Sequence, residues 1–93
     1  MARVTNAKLR ELVRSIRYSV TLHAAEELED DNLTIADLET LILSGSIVER
    51  QRDRNSAETK YCVRGVTLAG DEAECVVKIG PTGRLLVITV YLD

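Results

Sequence analysis

Few residues of this chain carry obvious chemistry, and the first is the single histidine of "VTLHAAEEL" (20–28). His23 falls where an extended stretch passes into a helix. In the opening turn of a helix the macrodipole disfavours the imidazolium and keeps the ring neutral, which suits a general base. Glu26, one turn later, pulls the other way. A proton-transferring His23 and a merely structural one both satisfy this pattern. The second group is basic: Arg50 and Arg52 on one extended segment, Lys60 and Arg64 on the next. Each pair has an even separation, so each shares a strand face. Should the two segments pair as a hairpin, the four cations can line one sheet face, a surface suited to phosphate. The plainer reading is a solvated sheet surface, partly neutralised by Glu49, Asp53 and Glu58. The third group is Thr89 and Tyr91, which share a face near the chain end. A phenol there suits a phosphate, a stacked base or the rim of a core.

Positioning these groups requires the following elements. Leu9, Leu12, Val13 and Ile16 recur at helical spacing behind Thr5 or Asn6, which predicts a helix over 6–17 with a basic outer side. Tyr18 to Thr21 reads as a short strand or an extended approach. A second helix covers about 22–30, with Leu22, Ala25 and Leu28 on one face, and ends at Asp31-Asn32 because Asn tolerates the left-handed turn. Thr34 to Asp37 is a capping-box variant opening a third helix, with a stripe of Ile35, Leu38, Leu41 and Ile42 and a stop at Gly45. The period then changes. Segments 46–52, 59–68, 73–79 and 84–92 read as strands, separated by turn material at 53–56, 69–71 and 80–83. Short connections mean hairpins. The expected fold is α+β, with N-terminal helices packed on a four-stranded antiparallel sheet.

Ninety-three residues predict one domain, 1–93. The core must be aliphatic, since the only aromatics are three tyrosines. The apolar run 85–92 is too short to span a bilayer, and no signal peptide is evident at the start. Cys62 and Cys75 lack metal-ligand spacing, so the expectation is two reduced, buried thiols in a cytoplasmic protein. The acidic run from Glu26 to Asp31 reads as a solvated helix face without the pattern of a calcium site. No nucleotide-binding glycine motif, zinc cluster or Ser-His-Asp signature is present, and no cofactor is implied. The net charge of −3 disfavours a general nucleic-acid binder, although basic clusters persist at 1–17 and 49–64.

Taken together, His23-Ala24, the Thr34–Asp37 helix start, Gly45-Ser46-Ile47-Val48-Glu49, "KYCVRG" and Ile88-Thr89-Val90-Tyr91 resemble the bacterial family known as domain of unknown function 4258. The likeness covers about residues 18–92. It implies a small RelE-like or BrnT-like toxin fold, one half of a toxin–antitoxin pair whose antitoxin is a zinc-finger protein of the YgiT type. The implied activity is metal-independent endoribonuclease action on RNA, with or without the ribosome. Under that reading His23, Lys60 and Tyr91 are catalytic, while Arg50, Arg52, Arg64 and Thr89 hold phosphate. Many relatives carry arginines where this chain has Glu27 and Asp31, which removes two phosphate contacts. The rival readings are a non-catalytic protein-binding module and an inactive toxin-like regulator; a homodimer is left open.

Overall fold

A computed structural model describes residues 3–55 and 58–93 of the chain. Helix α1 (Asn6–Arg14) begins at Thr5, whose side chain accepts the Lys8 amide. It ends earlier than its apolar spacing suggests. Arg17 N–H donates to Leu12 and Ile16 N–H to Val13, with Ile16 in the left-handed region at φ 55°. Ile16 therefore leaves the helical stripe and stands 70% exposed. Helix α2 (Leu22–Asp30) closes in the same way, Leu33 N–H reaching Leu28 while Asn32 takes the left-handed position at φ 57°. Helix α3 (Ile35–Ser44) opens with the expected capping box. Thr34 accepts the Asp37 amide, and the Asp37 carboxylate accepts the Thr34 amide.

The strands are β1 (Tyr18–Val20), β2 (Ser46–Arg52), β3 (Thr59–Val66), β4 (Glu72–Ile79) and β5 (Leu85–Leu92), in the sheet order β1-β5-β4-β3-β2. The antiparallel meander of β2 to β5 follows the sequence reading. The expected four-stranded sheet is corrected to five, because Tyr18, Ser19 and Val20 pair parallel with Leu85, Leu86 and Val87. The partners lie at opposite ends of the chain, so nothing local marks the pairing. The Tyr18 hydroxyl also reaches Glu39 on α3 at 2.6 Å, and burial beside that carboxylate pushes its pKa up to about 12.

Helices α1, α2 and α3 cover one sheet face. The core combines Leu9, Leu12, Val13, Ala24, Leu28, Leu38, Leu41 and Ile42 with Tyr61, Val63, Cys75, Val77, Leu85, Val87 and Val90. Helix α2 buries Ala24 and Leu28 rather than the expected Leu22 and Ala25, both exposed, and Ile35 of α3 is also exposed. The carboxyl end of α3 meets β3 at backbone distance: a Cβ on Gly65 would fall 2.2 Å from the Leu41 carbonyl oxygen and 2.9 Å from the Gly45 Cα. Ser44 completes this seam by accepting the Val66 amide. Among the described residues no helix packs on the opposite sheet face, the open face below.

Candidate functional site

Two irregularities decide which side chains reach the open face. In β2, Ile47 pairs with Val63 but Glu49 pairs with Cys62, so Val48 is an extra residue. Beyond it the parity flips: Arg50 pairs with Tyr61 and Arg52 with Thr59, on the helix-covered side. The Arg50 guanidinium lies 6.0 Å from the Tyr61 ring centre and donates to the Val4 carbonyl. Lys60 and Arg64 alternate with Tyr61 and Val63, and so lie on the open face. The four-cation face expected from sequence does not form.

In β5, Val87 pairs with Val77 and Thr89 with Val76, leaving Ile88 as the extra residue. Val87 and Val90 both turn into the core, and Thr89 and Tyr91 both turn to the open face. This places Tyr91 opposite Glu74, which in turn pairs with Arg64 on β3. Glu74 is only 7% exposed. One of its oxygens accepts Arg64 Nε at 2.7 Å, and the other accepts the Tyr91 hydroxyl. Asp93 adds a second carboxylate 3.4 Å from Arg64 Nε.

The electrostatics follow from this geometry. The Tyr91 hydrogen bond, aided by Arg64, holds the Glu74 carboxyl below the usual carboxylate range despite burial. The same hydrogen bond, aided by burial, raises the Tyr91 phenol above its ordinary value. The Tyr91 hydroxyl is thus a neutral donor whose hydrogen bond is directed at Glu74. Cys62 faces the same cluster and is half-buried rather than buried; desolvation and the Glu74 charge raise its thiol. Cys75 lies inside the core on the other face, and desolvation raises its thiol as well.

His23 sits at the open edge of β5, beyond the last residue paired to β1. Thr21 caps α2 through the Ala24 amide, and its hydroxyl reaches the Ile88 carbonyl at 3.2 Å. One turn on, Glu27 accepts the Val90 amide at 3.0 Å through the oxygen that also lies 3.3 Å from His23 Nε2. The partner of His23 is therefore Glu27, not Glu26. The expected solvated acidic face is corrected at this residue, which terminates a strand edge. The imidazole itself is 66% exposed.

Arg64, Thr89 and Tyr91 thus share the open face around Glu74, while His23 belongs to the β5 edge, held to the Val90 backbone through Glu27. Lys60 is on the same face but four residues from Arg64, about 13 Å along β3. Arg50 and Arg52 point to the other side. Glu74, the centre of the cluster, was not among the expected residues, although counting back from the turn at Gly70 places it opposite Arg64. Among the described residues no group of three or more His, Cys, Asp or Glu could hold a metal ion. No helix among them is long and apolar enough to cross a membrane.

Fold and site together define a small α+β domain with helices on one sheet face and a carboxylate-centred polar cluster on the other. Residues 20–92 match the family model described as Domain of unknown function (DUF4258), and the chain belongs to that family. No curated protein and no solved structure matches it.

Proposed function

We propose that the chain is a RelE-like toxin of a toxin–antitoxin pair, a metal-independent endoribonuclease acting on RNA and restrained by a zinc-finger antitoxin. The observation that carries this reading is the mounting of His23. Its Nε2 faces a carboxylate that is itself fixed to the Val90 amide, and the rest of the ring is open to solvent. With the Nε2 proton directed at Glu27, Nδ1 remains to accept a proton from an RNA 2′-hydroxyl. The freed oxygen then attacks the adjacent phosphorus, and the imidazolium can return the proton to the departing 5′-oxygen. In this reading Thr89 and Tyr91, which flank Val90 in sequence and turn to the open face, are the residues that position the substrate.

One observation favours the non-catalytic reading. The phosphorane needs unpaired positive charge, and Arg64 is held between Glu74 and Asp93 while Arg50 and Arg52 face away. The deciding experiment is tight induction in a bacterial host, with total RNA examined, beside His23→Ala. That side chain is largely exposed, so the fold is spared. Growth arrest with RNA cleavage is expected from the wild type, and a loss of roughly 10²–10⁴-fold in cleavage rate from His23→Ala. Undiminished cleavage by His23→Ala would remove the histidine from the mechanism. Soluble wild-type protein that neither arrests growth nor cuts RNA would leave the binding module.

A further inference from the structure

At the opposite end of β5 the chain forms a second feature of different chemistry. A hollow of about 260 Å³ is lined by Lys8, Arg17, Thr82, Gly83 and Arg84. Three segments distant in sequence build it: α1, the corner before β1 and the turn before β5. The parallel pairing of β1 with β5 brings them together, Leu85 N–H donating to the Arg17 carbonyl at 3.0 Å. Arg84 is fixed in place without a carboxylate. Its Nε donates to the Ser19 hydroxyl at 2.7 Å and its Nη2 to the Tyr18 carbonyl at 2.8 Å. These bonds orient the guanidinium and leave its charge uncompensated. Among the described residues Glu11 is the acid that pairs with these cations, 3.8 Å from Lys8 Nζ and 3.6 Å from Arg17 Nη2, outside the lining itself.

We propose that this hollow is a binding subsite for a phosphate group, carried either by a small phosphomonoester or by a nucleic-acid backbone. Three cations against one exposed carboxylate leave two positive charges facing the cavity, and an oxoanion is the ligand that neutralises them. A pre-oriented guanidinium, an ammonium and a threonine hydroxyl supply the donors that phosphate oxygens accept. The size suits a phosphate with a small substituent and falls at the small end for a drug-sized molecule. Arg84 lies six residues before Val90, about 20 Å along β5, so the subsite is separate from His23 and does not depend on the RNase reading.

Calorimetric titration at constant ionic strength tests it, with inorganic phosphate, adenosine monophosphate and a short RNA lacking terminal phosphates as probes. The variant is Lys8→Gln/Arg17→Gln, which keeps the Arg84 bonds to Tyr18 and Ser19. A control of equal charge change, Arg3→Gln/Arg54→Gln, lies towards the β2 side of the sheet. At least one probe is expected to bind wild type, about tenfold more weakly to the Lys8/Arg17 variant, and unchanged to the control. Binding of phosphate and the monophosphate assigns the monoester; binding of the RNA alone assigns the backbone. No binding by any probe, or equal weakening by both variants, would overturn the subsite.

Discussion

The two bulged strands have opposite consequences for the same face. In β2 the extra residue, Val48, turns Arg50 and Arg52 away from the open face and towards α1. In β5 the extra residue, Ile88, keeps Val87 and Val90 both inward and sets Tyr91 over Glu74. The first strips cations from the open face; the second supplies the tyrosine that completes its polar cluster. They also differ in attachment. Val48 is 53% exposed, whereas Ile88 is half-buried and its carbonyl receives the Thr21 hydroxyl. A single inserted residue can therefore be a local surface detail or a docking feature for a neighbouring helix.

Deleting each extra residue sharpens that contrast. Removing Ile88 restores a regular β5 ladder but shortens the edge along which Thr21 and Glu27 dock α2. Two hydrogen bonds and a half-buried side chain are lost, an expected destabilisation of about 3 kcal/mol in a denaturant titration. Next in size is Glu74→Ala, expected to cost about 2 kcal/mol by leaving the Tyr91 hydroxyl and Arg64 without their shared acceptor. Its signature is in the pH dependence. Glu74 titrates below its ordinary value in the folded state, so its contribution is present above the ordinary carboxylate range and disappears as pH falls through the folded pKa. Tyr91 titrates above the ordinary phenol range, so wild-type stability also falls as pH rises past that range, where the unfolded chain releases a proton that the folded one keeps. Glu74→Ala should flatten both limbs and bring a phenolate absorbance step to lower pH; two unchanged limbs would remove Glu74 from the cluster. The smallest effect is expected for deletion of Val48, within about 1 kcal/mol, because the side chain is exposed and the pairings on either side of it survive. A large loss there would make the β2 bulge a structural requirement.

These devices also mark how far the sequence was legible. Asn32 announces its left-handed helix end because Asn tolerates that conformation, whereas Ile16 makes the same turn against its β-branched preference and gives no signal. The strands and turns of the meander show plainly in their alternation and in Gly70 and Gly83. The bulges do not, since an apolar run such as Leu85 to Leu92 has no alternation to interrupt. The site divides along the same line. Arg64, Thr89 and Tyr91 share a face as parity requires, but Arg50 and Arg52 lie beyond an insertion that parity cannot see. Glu74 was within reach through the register of a short hairpin, because counting outward from the 67–71 turn pairs it with Arg64. Glu27 was hidden among acids of similar appearance, and only the position of the β5 edge distinguishes it.

The meeting of Gly45 and Gly65 bears on motion. With the α3 terminus touching the β3 backbone and no side chain between them, neither element can slide without breaking the Ser44–Val66 bond. Helix α3 and the β2–β3 hairpin are therefore packed against each other at backbone distance. The opposite margin, where α2 hangs on β5 through Thr21 and Glu27, rests on a few polar tethers and a narrower apolar contact. Amide exchange is accordingly expected to be faster along α2 than along α3, with the glycine seam as the fixed frame of the domain.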